Sequence, residues 1–272
     1  MNRAAYFLVL PVGALLLSAA PARAATIPDK NLEAAIRAEL HEPKADLTDE
    51  KLNNLYFLNA VGKGIRELTG LEKCKNRAEV RLTKNQISDL KPLQGLTNLQ
   101  SLDLGGNKIT DIAPLGGLTK LQYLVLADNE ISKIDAVGNL TALSALDLSG
   151  NKLSDITAVG KLTKLSSLYL SRNQLQNLGP LTSVTRLMTL NLSDNQIQDV
   201  TPLTKQTELM LLILNKNKIS DLAPLVSWAK ADAEGAKRFA PFLRLYLGDN
   251  PLTDAGKPQL DTLKGFGVRI MP

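Results

Sequence analysis

Residues 121–131 read LQYLVLADNEI, in which Leu121, Leu124 and Leu126 lead into Asn129 and Ile131 follows. Ile134, Val137 and Leu140 continue the series, so one unit carries seven apolar slots around one asparagine. Working outward, the asparagine recurs at Asn85, Asn107, Asn129, Asn151, Asn173, Asn195 and Asn217, each 22 residues from the next. Self-similarity at a fixed period of this length is the mark of a repeat architecture. The slots stay apolar in these units with two exceptions, Arg77 and Gln206. An eighth copy surrounds Asn250 with Phe242, Leu245, Leu247 and Leu252; its displacement of 33 from Asn217 means 11 inserted residues. In the other direction Leu55, Leu58, Ile65, Leu68 and Leu71 keep the register, but Lys63 stands in the asparagine slot.

A single unit buries too little apolar surface to offset the entropy of ordering its own backbone. Stacking solves this, because short Leu-x-Leu strands can pair in parallel with their neighbours while the slots merge into one core. The asparagine falls where the chain turns inward, and its amide can both donate to and accept from turn backbone groups. We read the series as structural. Pro92, Pro114, Pro180, Pro202 and Pro224 interrupt the return segments, which predicts 3₁₀ or irregular structure there.

The form Leu-x-x-Leu-x-Leu-x-x-Asn-x-Ile-x-Asp-Ile-x-Pro-Leu-x-x-Leu-Thr-x resembles the 22-residue units of the leucine-rich repeat proteins known as bacterial internalins. The segment from Thr26 through Leu71, with IPDKNLEAAIRAEL, LTDEKL and LTGLEKC, resembles the helical cap that precedes internalin repeats. The resemblance implies an α/β leucine-rich repeat solenoid: right-handed, with a curved parallel β-sheet on the concave side, a 3₁₀ or irregular convex side and a helical amino-terminal cap. It also implies a protein partner, since internalin domains commonly engage host-surface proteins. This chain departs from that family in carrying no cell-wall sorting signal after the repeats.

An open array needs covers at both ends. The expected organisation is a signal peptide over 1–24, a helical cap over 25–54, a transition repeat plus eight repeats over 55–252 and a carboxyl-terminal cap over 253–272. Leu32, Ile36 and Leu40 follow Pro28 at helical spacing, and Thr48 before Asp49 and Glu50 reads as a second helix start. Leu225, Trp228, Ala229, Ala233, Ala236 and Phe239 predict a convex-side helix in the insertion, over about 226–240. Leu260, Leu263 and Phe266 predict a closing helix, with an edge strand over 268–271.

Composition narrows the chemistry. One Cys and one His in 272 residues exclude an internal disulfide framework and a Cys/His zinc site. Cys74 occupies the slot of Leu96 and reads as a buried, inert thiol; His41, beside Glu42 and Pro43, reads as a solvated loop residue. No cofactor or metal is expected. Loss of residues 1–24, with Arg3 and Arg23, lowers the formal charge from +5 to +3, spread along the repeats, which argues against nucleic acid as a partner.

Side chains alternate along a strand, so residues between the core leucines point away from the core. These positions hold Asp103, Tyr123, Val125, Asp147, Tyr169, Asn191, Leu211, Ile213, Arg244 and Tyr246, the candidate partner-binding residues. Three of the five tyrosines thereby share one face with Leu211 and Ile213, which have no core to fill. The expected function is protein–protein recognition through that face by a monomeric, non-enzymatic protein. Two alternatives stand beside it: a periplasmic or secreted module binding a glycan, peptidoglycan or envelope protein, and a glycoside hydrolase using Asp103 and Asp147. The last two lie two strands apart, roughly 9–10 Å, near the upper end for inverting carboxylates.

The opening MNRAAYFLVLPVGALLLSAAPARA has a basic start at Arg3, an apolar run from Phe7 to Ala20, and Ala22 and Ala24 around Arg23. It reads as a cleavable leader, its apolar run being too short for a membrane span. No second apolar span precedes Pro272, so the mature protein is expected to be free of the membrane and secreted or periplasmic. Amino-terminal sequencing of protein recovered from periplasm or medium should begin at Ala25, and intact Met1 in a membrane fraction would contradict the reading.

Overall fold

The computed structural model describes residues 26–272, and the leader read above lies outside the described residues. Ten three-residue strands form one parallel sheet in chain order: β1 Phe57–Asn59, β2 Glu79–Arg81, β3 Ser101–Asp103, β4 Tyr123–Val125, β5 Ala145–Asp147, β6 Ser167–Tyr169, β7 Thr189–Asn191, β8 Leu211–Ile213, β9 Arg244–Tyr246 and β10 Arg269–Met271. Between β2 and β8 each residue pairs with the one 22 positions on, as in Leu102 with Leu124. The return segments carry 3₁₀ turns, from Leu71–Lys73 to Thr201–Lys205, as the prolines predict. The buried leucines, isoleucines and valines between sheet and turns form one continuous core.

Each repeat boundary is closed by the asparagine. Asn129 Nδ2 donates to the carbonyls of Leu126 in its own repeat (3.1 Å) and Leu104 in the preceding one (3.0 Å), while Oδ1 accepts from Ile109 N–H (3.0 Å). Asn151 repeats the arrangement, so the Leu126 carbonyl receives both amides. The residue before each asparagine is left-handed, with φ between 54° and 66° from Lys84 through Gly106, Asp128, Gly150, Arg172, Asp194 and Lys216 to Asp249 at 59°. A non-glycine residue held there costs about 1–3 kcal/mol, and it persists because it delivers the amide to its three partners.

At the amino end, α1 (Lys30–Leu40) is capped by Asp29, whose carboxylate accepts from Asn31 and Leu32 N–H and also from Arg66 and Glu67 N–H in the transition repeat. Burial alone would raise this carboxyl, but the four donors hold it below the ordinary aspartate value. One side chain thus caps a helix and fastens the cap to the array. Thr48 caps the short α2 (Asp49–Asn53). His41 is exposed in the left-handed residue that ends α1.

The insertion forms α3 (Ala223–Glu234), which begins three residues earlier than expected and stops at Gly235 instead of Pro241. Pro224 is tolerated because the first turn needs no intrahelical N–H donor. The Asp232 carboxylate then accepts from Arg238, Phe239 and Ala240 N–H and folds the chain back. Phe239 stacks on Trp228 with ring centroids 4.0 Å apart. This corrects the core assignment of Phe242: it is 54% exposed, and Leu243 is buried in its stead. Phe239 and Ala240 already fill the space beneath the helix, leaving the following aromatic no slot. Beyond them α4 (Lys257–Gly265) and β10 close the carboxyl end, the latter pairing with β9.

The two polar exceptions are both fully buried. Gln206 is accommodated: its Nε2 donates to Leu181 O (2.9 Å), and its own carbonyl accepts from Trp228 Nε1 (2.8 Å), although Oε1 is unpaired. Arg77 is not. It fills the slot of Leu99, and among the described residues none of its three guanidinium nitrogens has a hydrogen-bond partner. Burial pushes the guanidinium below its usual value and the neighbouring Cys74 thiol above its own, and the thiol is too weak an acceptor to compensate. Arg77→Leu is therefore expected to stabilise the protein by about 1–4 kcal/mol in denaturant titration, and destabilisation would show that the charge has a native partner. Asn129→Ala should cost about 1–3 kcal/mol by orphaning Ile109 N–H. Asn129→Asp should cost at least as much despite its matching shape, because an oxygen would then face the carbonyls of Leu104 and Leu126; a milder effect than alanine would refute the donor role.

Candidate functional site

The parallel register turns alternate strand residues into rows across the sheet. One row runs Asp103, Val125, Asp147, Tyr169, Asn191, Ile213, Tyr246, each paired with the next. The parallel row runs Ser101, Tyr123, Ala145, Ser167, Thr189, Leu211, Arg244. All ten candidate residues therefore lie on one face, seven in the first row and Tyr123, Leu211 and Arg244 in the second. Each central leucine between the rows is buried in the core.

The face is uneven along its length. Tyr123 is 53% exposed, whereas Tyr169, Leu211, Ile213 and Tyr246 are half-buried. The polar members of the first row are partly committed to the turn that ends their strand. Asp103 Oδ1 accepts from Gly105 N–H (3.0 Å), Asp147 Oδ1 from Ser149 N–H (2.9 Å) and Asn191 Oδ1 from Ser193 N–H (3.0 Å). Asp103 and Asp147 thus stand in one row with Val125 between them, each with an oxygen held by its own chain. Among the described residues, no group of three or more His, Cys, Asp or Glu side chains could hold a metal ion.

A strip next to the second row was missed in the sequence. The residue before each strand is Gln100, Gln122, Ser144 or Ser166 in the earlier repeats but Met188 and Met210 in the later ones. Met188 is 43% and Met210 46% exposed; before β9 the corresponding position is Leu243, which is buried, while Phe242 ahead of it is exposed. The change from amide or hydroxyl to thioether at one fixed position was a legible signal; the exposure of Phe242 was not, because it depends on how the insertion packs.

The opposite rim, at the carboxyl ends of the strands, is ionic. Arg172 and Asp128 form a salt bridge of 2.8 Å across the intervening repeat, and Lys152 pairs with Glu130 at 2.8 Å. Gly150 makes the first possible, since a Cβ there would collide with Asp128 Oδ1. Its hydrogen bond to Lys152 holds the Glu130 carboxyl below its usual value. Such exposed pairs are worth little individually. No helix among the described residues is long and apolar enough to cross a membrane.

Comparison with known proteins agrees with this architecture. Residues 77–226 match a family model described as a leucine-rich repeat region. Among solved structures, internalin C2 of Listeria monocytogenes is 28% identical, with a TM-score of 0.63 over 90% of this chain and 93% of that one. An internalin F of the same organism is 25% identical over 90% and 96% of the two chains, with a TM-score of 0.42. The functional domain of InlJ, also from Listeria monocytogenes, is 24% identical over 83% and 56%, with a TM-score of 0.47. Comparison with curated proteins returns no match. With more than half of the sequence inside the family model and the repeat geometry continuous from β1 to β10, the chain belongs to the leucine-rich repeat family as an internalin-like bacterial protein.

Proposed function

We propose that this is an exported recognition protein that binds another protein through the outward face of its sheet. The observation that carries the reading is the cluster at the carboxyl-terminal half of that face. Leu211 and Ile213 lie on the side of the sheet away from the core, between Tyr169 and Tyr246, with Met188 and Met210 along the adjoining strip. Partly exposed apolar and aromatic side chains on a face away from the core are what interface hot spots are made of, because they offer large apolar area at modest entropic cost. Support for export comes from the leader pattern over 1–24. The glycoside hydrolase reading is the weaker one: Asp103 and Asp147 are repeated strand-end acceptors on an open face, which does not set one apart as acid and the other as base.

The test begins with affinity capture from envelope extract and from culture medium, followed by affinity measurement on the species identified. Tyr169→Ala and Ile213→Asp should each weaken binding by about 1–3 kcal/mol while thermal stability barely moves. Charge reversal of Lys161 and Lys205, at the ends of two 3₁₀ turns on the opposite side, should do little. Equal losses from both sets, or loss only from the lysine variants, would move the site off the sheet.

A further inference from the structure

The amino-terminal half of the same face differs from the apolar half in shape and chemistry. A cavity of ≈ 670 Å³ opens over β2, β3 and β4, within the roughly 300–1,000 Å³ typical of small-molecule sites. It exists because the middle strand contributes a small residue where its neighbours contribute large ones: Ser101 is paired with Glu79 on one side and Tyr123 on the other. The walls therefore stand two strand spacings apart, about 9–10 Å.

One wall is ionic but self-neutralised. Arg81 Nε donates to Glu79 at 2.6 Å, and the guanidinium lies 5.8 Å from the centre of the Phe57 ring. Pairing and stacking hold Arg81 upright and leave its terminal nitrogens without a protein acceptor among the described residues. The other wall is Tyr123, which is 53% exposed. Gln100 and Gln122 stand side by side along one edge, their side-chain amides making no protein hydrogen bonds among the described residues. Along the other edge Asp103 Oδ1 accepts from Gly105 N–H, and Oδ2 has no protein donor among the described residues.

These groups converge on a ligand of particular chemistry. Each amide offers both a donor and an acceptor, Asp103 adds an acceptor and Arg81 adds donors. Hydroxyl groups, each donor and acceptor at once, match such a mixed set, whereas an anionic ligand would face the Asp103 carboxylate and a wall whose own charges already cancel. The exposed tyrosine ring supplies a flat apolar surface for the C–H face that a pyranose ring presents. We propose that this cavity is a saccharide-binding subsite for a neutral hexopyranose unit, separate from the apolar cluster around Ile213. It rests on the reading of the sheet face as the recognition surface.

Saturation-transfer NMR and calorimetry on the mature chain would test it with five probes: maltotriose, cellotriose, mannotriose, galactobiose and triacetylchitotriose. At least one should bind with a Kd of about 1 mM or tighter, with saturation strongest at sugar ring protons. Tyr123→Ala, which removes the platform, and Ser101→Trp, which fills the floor, should each weaken that binding about tenfold or more. Lys161→Glu should bind as wild type does, and circular dichroism melting will show that each variant is folded. No binding of any probe by the wild type, or binding that survives both Tyr123→Ala and Ser101→Trp, overturns the proposal. So does loss of protein capture in Tyr123→Ala without any sugar affinity, which would make the cavity part of the protein interface. Failure of the protein-recognition reading has a different signature, namely protein capture that Ile213→Asp leaves intact.

Discussion

The side-chain amide of the repeated asparagine holds this molecule together. A parallel solenoid must turn its chain inward after every strand, and each turn buries peptide groups that have no strand partner. One carboxamide answers this at each boundary, accepting from an N–H of the preceding repeat and donating to carbonyls on both sides. Because each strand-end leucine carbonyl from Leu82 to Leu214 receives two such amides, the bonds run on from Asn85 to Asn250. The left-handed residue before each asparagine is the local strain that this arrangement sustains.

Regularity at the turns imposes regularity on the sheet. With turns of one length, strands pair without slippage, and residues 22 apart are forced into rows. The face then varies by side chain alone while its backbone stays constant: apolar and aromatic toward β8 and β9, amide-rich and indented over β3. A surface built this way is pre-organised, which lowers the ordering cost of binding.

Departures from the pattern gather near the ends of the array. Asp29 locks the first helix to the transition repeat, while Cys74 at the end of that repeat and Arg77 at the start of the next leave their junction with a buried charge and no adequate acceptor. Near the other end, replacement of a 3₁₀ turn by α3 brings Trp228 against the Gln206 carbonyl and displaces Phe242 to the surface. Each departure perturbs its own neighbours and spares the remaining rows, as expected where a repeat touches only those beside it.

Period, strand positions, 3₁₀ returns and the outward rows were all legible in the sequence, because each follows from chain geometry that local spacing encodes: a period of two in the strands and of 22 along the array. The partners of the asparagine were not, since its Nδ2 reaches a carbonyl 25 residues back and its Oδ1 an N–H 20 residues back. Nor was the exchange of Phe242 for Leu243, which turns on the volume already taken by Phe239 and Ala240. The cavity over Ser101 arises the same way: Glu79 and Tyr123 are each 22 residues from it in the chain, and only strand pairing makes them the two walls of one space. Spacing carries direction, whereas contact, volume and the satisfaction of buried polar groups depend on residues that the chain brings together from a distance.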